Sequence, residues 1–219
     1  MIIITGASDG LGLQLAKLYQ ADKKTVVNIS RRKSAAADIN ILCDLQKGKE
    51  IKKTTKKILG IDEPLEALIN CAGVFSGQPL GEITEEEIDR AFATNVKPAI
   101  LLVSQLIEKI KKDGADIVNV SSSVGLKGYV GQAVYSVSKW AMRGFSVNLQ
   151  AELKGMPSRV ISFCPGGFKT KLFEKATGID NTKEGSEWMK AEDVALALKQ
   201  TLDLPKKMEI SEIVISRKN

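Results

Sequence analysis

Histidine is absent from all 219 residues of this chain. That excludes Ser-His-Asp hydrolysis and histidine-based metal sites outright. Cysteine occurs three times, at Cys43, Cys71 and Cys164, each at or near the end of an apolar, strand-like run. An odd count without C-x-x-C spacing argues against a disulfide framework or a zinc site. The three read as small buried thiols in a reducing compartment, and no metal is expected. Aromatic residues make up only 5% of the chain, so the core must be built from Ile, Val, Leu and Ala. No apolar run approaches the length needed to cross a bilayer, and the opening run at 2–4 is too short for a signal peptide. A cytoplasmic protein without membrane contact is the expectation. Linkers, repeats and low-complexity segments are also missing, which gives one domain over residues 1–219.

The net charge is +6. Much of the excess lies in Lys47, Lys49, Lys52, Lys53, Lys56 and Lys57, on one predicted helix. With no RNA-binding motif and no interleaved aromatics, this reads as a solvated helix face rather than a nucleic-acid surface. Apolar, β-branched runs recur at 2–4, 25–29, 39–43, 65–69, 117–120, 160–164 and 210–215. Most are continuous rather than alternating, the pattern of strands buried on both faces. Helical periodicity falls between them, at 11–21, 47–59, 84–110, 133–153 and 191–202. Strand alternating with helix predicts an α/β fold with a doubly wound parallel sheet of about seven strands. Residues 31–38 leave little room for a helix, and Pro98 should kink the long helix at 84–110.

Two local patterns carry chemistry. The first is Thr5-Gly6-Ala7-Ser8-Asp9-Gly10-Leu11-Gly12, a glycine turn between a strand and a helix. Such a turn lets backbone N–H groups approach a pyrophosphate at the positive end of the helix. The second is Tyr135-Ser136-Val137-Ser138-Lys139, thirteen residues after Ser122. Residues four apart share one helix face, so the lysine lies one turn from the phenol. A free tyrosine titrates at about 10, and a fixed cation beside it favours the phenolate.

Together these patterns resemble the short-chain dehydrogenase/reductase family in its compact, non-extended form. Further motifs follow in family order: Ile69-Asn70-Cys71-Ala72-Gly73, then Asn95 within Ala93-Thr94-Asn95-Val96, then the strand ending at Ser121-Ser122, then Pro165-Gly166-Gly167-Phe168-Lys169-Thr170. The resemblance implies a Rossmann-type sheet and hydride transfer between a nicotinamide and a carbonyl or secondary alcohol. It implies that Tyr135 acts as acid and base, that Ser122 bonds the same substrate oxygen, and that Lys139 holds the nicotinamide ribose and lowers the Tyr135 pKa. Asn95 would bind a water linking Lys139 to solvent. Three serines stand together at 121–123, and the thirteen-residue spacing selects Ser122.

For the cofactor, the resemblance implicates Thr5, Gly6, Ser8, Asp9, Gly10, Leu11 and Gly12 around the phosphates. Asp44 and Leu45 would border the adenine, with Asp44 equally readable as a strand-end cap. Asn70, Ala72 and Gly73 would line the adenosine side, Tyr135 and Lys139 the ribose, and Pro165, Gly166, Phe168 and Thr170 the nicotinamide. Specificity is read at the end of the second strand, where Ser30, Arg31 and Arg32 offer a hydroxyl and two guanidiniums suited to a 2′-phosphate. These favour NADP(H) over NAD(H), although the arginines are also readable as surface charge. Asp9 stands where NADP-preferring relatives often carry a base, and it subtracts from that preference. Residues 171–190 read as a short substrate lid with apolar anchors including Phe173 and Trp188, suited to a small or medium apolar carbonyl compound. A homodimer or homotetramer is the family habit. The competing readings are a 3-oxoacyl-carrier-protein reductase and a non-catalytic NADP(H)-sensing protein.

Overall fold

The apolar runs form seven strands: β1 (Ile2–Thr5), β2 (Val26–Ser30), β3 (Ile39–Leu42), β4 (Ala67–Asn70), β5 (Asp116–Val120), β6 (Val160–Pro165) and β7 (Glu212–Ile215). In the computed structural model, which describes residues 1–181 and 187–218, they make one all-parallel sheet in the order β3-β2-β1-β4-β5-β6-β7. Between them lie α1 (Gly10–Ala21), α2 (Gly48–Leu59), α3 (Glu85–Asn95), α4 (Lys97–Asp113), α5 (Ala133–Glu152), α6 (Lys171–Thr177) and α7 (Ala191–Leu202).

The side-chain alternation of each strand divides the core into two layers. Ile3, Val27, Ile29, Leu68 and Ile117 face α2, α4 and α5, where Ile51, Ile58, Leu102, Leu106 and Leu149 meet them. Ile2, Ile4, Ile69, Val118 and Phe163 face the other way, against Leu11, Leu15 and Tyr19 of α1 and Val194 and Leu198 of α7. Burial on both faces explains why the strands read as continuous apolar runs. Five of the six lysines lie on α2 and Lys47 stands just before it; all six are exposed, while Ile51, Thr54, Thr55 and Ile58 turn inward. That is the solvated face expected from the sequence.

Two expectations need correction. The helix predicted at 84–110 is two helices that meet at Val96, so the kink is a full break. Pro98 is the second residue of α4, where its missing N–H belongs to a first turn that lacks intrahelical acceptors anyway. The segment expected to form a lid opens with a helix, α6, which sequence periodicity did not reveal; none of its residues is buried. Of the predicted lid, residues 182–186 lie outside the described residues. No helix follows β2, as the short 31–38 connection requires. Strand order reverses between β1 and β4, which opens a crevice at their carboxyl ends.

Candidate active site

The crevice begins at Thr5. Its Oγ1 accepts hydrogen bonds from the N–H groups of Cys71 (2.9 Å) and Ala72 (3.0 Å), tying the end of β1 to the end of β4. Gly6 follows with φ +77°, and a Cβ there would stand 3.1 Å from Ala72 Cα. Gly12 packs so tightly that a Cβ would lie 2.6 Å from the Gly6 carbonyl oxygen. Only glycine closes this strand–helix joint, and it leaves the N-terminus of α1 facing the crevice. Asp9 caps that helix, its Oδ1 accepting from Gly10 N at 2.9 Å. Leu11 is buried in the core, so only its backbone can serve a ligand. Across the crevice Thr170 caps α6 and approaches Gly10, where an added Cβ would lie 3.3 Å from the Thr170 methyl.

At the end of β2 the Ser30 hydroxyl accepts from Arg32 N (3.3 Å) and donates to the Arg32 carbonyl, which folds the turn. Arg31 is exposed. Arg32 reaches Asp9 Oδ2 at 3.3 Å, and Lys175 of α6 reaches the same oxygen at 2.9 Å. Partial burial works to raise the Asp9 pKa; Lys175, the Gly10 N–H and Arg32 outweigh it and hold the carboxyl below its ordinary value. Asp44 accepts from Gln46 N at 3.2 Å, and its own N–H donates to Glu50 at 2.7 Å, so it does cap a strand-end turn. Leu45 is buried beside it. Asn70 donates to Asn119 at 2.9 Å, while its own buried Oδ1 has no partner.

The second wall of the crevice is β5 and α5. Ser121 donates to the Lys139 carbonyl at 2.8 Å, and a Cβ on Gly125 would lie 2.5 Å from Ser121 Oγ. That packing locks the turn after β5 against α5. Ser121 is therefore a packing residue, and Ser122 is the serine whose hydroxyl acts on the Tyr135 phenol; its Oγ donates to the Pro165 carbonyl at 3.4 Å and accepts from Val124 N at 3.4 Å. Tyr135 and Lys139 are both buried, at 8% and 5% exposure. Lys139 Nζ donates to the Val120 carbonyl at 2.9 Å and stands 5.6 Å from the Tyr135 ring centroid. Burial pushes the Lys139 ammonium down to about 8. Burial also pushes the Tyr135 phenol up to about 12, with the Ser122 hydrogen bond pulling against it. The expected lowering by Lys139 is thus not found in this arrangement, in which the ammonium is held by a backbone carbonyl.

Asn95, the last residue of α3, has its side chain bonded to neighbouring elements. Its Oδ1 accepts from Val74 N (2.7 Å), and its Nδ2 donates to the Val74 carbonyl (3.0 Å) and to Ser138 Oγ (2.9 Å). The side chain clamps the loop after β4 to α5. Gly73 lies in this clamp: a Cβ would stand 3.2 Å from Asn95 Oδ1 and 3.6 Å from Lys139 Nζ. Pro165, Gly166 and Phe168 continue the crevice, with Gly166 N donating to Ile215 at 2.7 Å and Phe168 pairing with Met189.

A family model for short chain dehydrogenases matches residues 1–179. The chain belongs to that family. Among the relatives it resembles are a 3-oxoacyl-[acyl-carrier-protein] reductase of Chlamydia muridarum, 31% identical over 86% of this chain and 80% of that one, and carbonyl reductase family member 4 of Xenopus tropicalis, 33% identical over 77% and 75%. The fold superposes on a closed serine dehydrogenase complexed with NADP+ with a TM-score of 0.89, covering 98% of this chain and 93% of that one at 22% identity.

This short-chain dehydrogenase carries site features that the motifs did not indicate. Phe75 lies over the Tyr135 ring, centroids 4.9 Å apart. Cys71 lies near Lys139 and Gly12; burial pushes its thiol up to about 12 against the pull of both. Lys175 belongs to the only α-helix that buries nothing among the described residues, and its pairing with Asp9 spans 166 positions. The one available signal for Phe75 was its type, since aromatics are few and this one stands two places beyond Gly73. The described crevice residues fit a nicotinamide dinucleotide: a helix N-terminus facing the crevice, cationic groups at the end of β2, and a buried cation one turn from a phenol. No described helix is long and apolar enough to cross a membrane.

Proposed function

We propose that the chain is an NADP(H)-dependent oxidoreductase that interconverts a carbonyl compound and its secondary alcohol. The observation that carries this reading is the buried Tyr135 phenol with Lys139 buried one turn away, beside the Ser122 hydroxyl that pulls the phenol down, at the carboxyl ends of β4 and β5. When bound, the nicotinamide supplies or accepts the hydride. In reduction the carbonyl oxygen gains negative charge; Tyr135 delivers a proton to it, and Ser122 donates to the same oxygen and fixes its position. A phenol held near 12 keeps its proton at neutral pH, which suits an acid that must be loaded before each turnover. Lys139 holds the ribose and, released from Val120, draws the phenol down. Asn95 shapes this wall by fixing Val74 and Ser138.

The NADP(H) preference rests on Arg31 and Arg32 at the end of β2, with Asp9 offset by Lys175. The resemblance to carbonyl reductase family member 4 supports carbonyl reduction. A 3-oxoacyl-carrier-protein substrate is the second reading, favoured by the similarity to the Chlamydia muridarum reductase and opposed by Asp9 at the family's basic position. The exposed apolar stripe of α5, Val137, Trp140 and Val147, supports pairing of that helix with a second copy.

The test is oxidation of NADPH and NADH against ketones, aldehydes and an acetoacetyl thioester. Turnover with NADPH that vanishes in Tyr135→Phe supports the proposal. Undiminished turnover in that variant refutes the mechanism, and equal use of NADH refutes the cofactor preference.

A further inference from the structure

Four of the chain's eleven aromatic residues meet in a single row above the reacting groups. Phe75 packs on Tyr135 at 4.9 Å, Phe173 meets the edge of Phe75 at 5.4 Å, and Trp188 meets Phe173 at 5.1 Å. These rings take no part in the two layers beside the sheet; Phe75, Val124, Tyr135 and Phe173 form a separate small cluster. Phe75 comes from the loop after β4, and Phe173 and Trp188 from the segment after β6, so loops and a short helix carry them rather than strands. Two glycines seat the row. A Cβ on Gly77 would lie 2.6 Å from Phe75 Cε1, and one on Gly167 would lie 3.1 Å from the Trp188 ring. The chain thus gathers four of its eleven rings around Tyr135, apart from the two layers beside the sheet.

We infer that Phe75, Phe173 and Trp188 form a specificity wall that selects carbonyl compounds bearing an aromatic ring close to the carbonyl. This rests on the reading of Tyr135 as the proton donor. A flat ring joins the row by the same offset or edge-to-face contacts that the protein rings make with one another. A saturated ring of similar size buries comparable apolar area and lacks those contacts. Phe173 stands on α6, which buries no residue of its own, so the outer part of the wall can shift to admit a ring while Phe75 stays fixed on Tyr135.

The experiment compares phenylacetone with cyclohexylacetone, whose carbonyls have the same immediate neighbours, in steady-state NADPH oxidation. Wild-type enzyme is expected to favour phenylacetone in kcat/KM by about fivefold, the size of one aromatic pair. Phe75→Leu and Phe173→Leu should each bring that ratio towards unity, largely by lowering the phenylacetone value. Phe173→Leu alters an incompletely buried residue, which guards against misfolding as the cause. A wild-type ratio near unity, or equal losses for both ketones in the two variants, overturns the inference. Binding gives a readout independent of turnover. In a Trp140→Phe background, Trp188 is the one remaining tryptophan, and 1-phenylpropan-2-ol should quench it in the NADP+ complex, less so after Phe75→Leu. Quenching without turnover of any ketone would uphold the wall and refute carbonyl reduction. Turnover that requires Tyr135 but shows no aromatic preference would do the reverse.

Discussion

Lys175 Nζ and the Arg32 guanidinium converge on a single oxygen, Asp9 Oδ2, at 2.9 and 3.3 Å. The pairing joins α6, the glycine turn after β1 and the end of β2. It also resolves the awkward acid at position 9. An unpaired carboxylate there would repel a 2′-phosphate, whereas one held by Lys175 leaves Arg31 and part of Arg32 to attract it.

Lys175→Met is therefore expected to weaken NADPH binding while leaving NADH binding nearly unchanged. All three side chains are substantially exposed, so the effect should be about threefold, within the range of exposed ion pairs. Titration of NADPH and NADH at low and moderate salt measures it. In an Asp9→Asn background the same substitution should have a smaller effect, because the charge it offsets is gone. An equal loss for both cofactors would mean that Lys175 acts on the shared pyrophosphate or on lid position instead.

The Ser122 hydroxyl acts on the Tyr135 phenol, and both would serve one substrate oxygen, so they should act as a unit. Tyr135→Phe is expected to lower kcat/KM by about a hundredfold to ten-thousandfold, the span of general acid catalysis. Ser122→Ala should cost a comparable factor, and the double variant should lose far less than the product of the two. NADPH affinity, measured separately, should survive Ser122→Ala. Multiplicative losses would show that the two hydroxyls serve different steps.

The depressed Lys139 pKa has a consequence for stability. Burial lowers it from the ordinary 10.5 to about 8. Below pH 8 the folded protein carries the full cost of a buried ammonium. Between about 8 and 10.5 the unfolded chain binds more protons than the folded one, so stability from this group rises with pH across that window. A shift of that size bounds the cost at about 3 kcal/mol. Lys139→Met should therefore raise the melting temperature at pH 7, with a gain that shrinks towards pH 10. Loss of the Val120 hydrogen bond works in the opposite direction and reduces the gain. Calorimetry of both proteins from pH 6.5 to 9.5 gives the comparison. A difference independent of pH would show that the ammonium is better solvated than its 5% exposure implies.

The legible parts of this molecule were those encoded by neighbours in sequence. Ile2 to Ile4 and Val26 to Ile29 read as buried strands because both of their faces are covered, and the glycine turn followed from contacts between Gly6 and Gly12. The break at Val96 was hidden because apolar periodicity runs through it and Pro98 is tolerated in a first turn. Helix α6 gave no periodic signal because it buries no face. Side-chain direction was the other blind spot. Spacing put Lys139 one turn from Tyr135 and could not say that its ammonium would find the Val120 carbonyl, or that Asn95 would close on Val74. Lys175 and Asp9 lie too far apart in the chain for any local pattern to join them.

Far from the crevice, at the opposite end of the sheet, Asp116 and Arg159 form an ion pair with both side chains 4% exposed and a closest approach of 2.7 Å. Arg159 also donates to the carbonyls of Leu202 (2.7 Å) and Leu204 (3.0 Å), which anchors the end of α7 beneath β5 and β6. Lys206 adds a second cation on Asp116 at 2.8 Å from the solvent side. Removing the acid alone leaves a buried guanidinium with only carbonyl partners. Asp116→Ala should therefore destabilise the fold by about 3–5 kcal/mol, seen as a lower urea midpoint with an unchanged slope. Removing both charges with apolar replacements, Asp116→Leu with Arg159→Met, should recover most of that loss, because the desolvation cost of each ion disappears with it. The pair touches no crevice residue, so turnover per folded molecule should stay the same in either variant. Equal destabilisation by the single and double changes would show that the carbonyl contacts to α7, rather than the ion pair, hold this end of the sheet together.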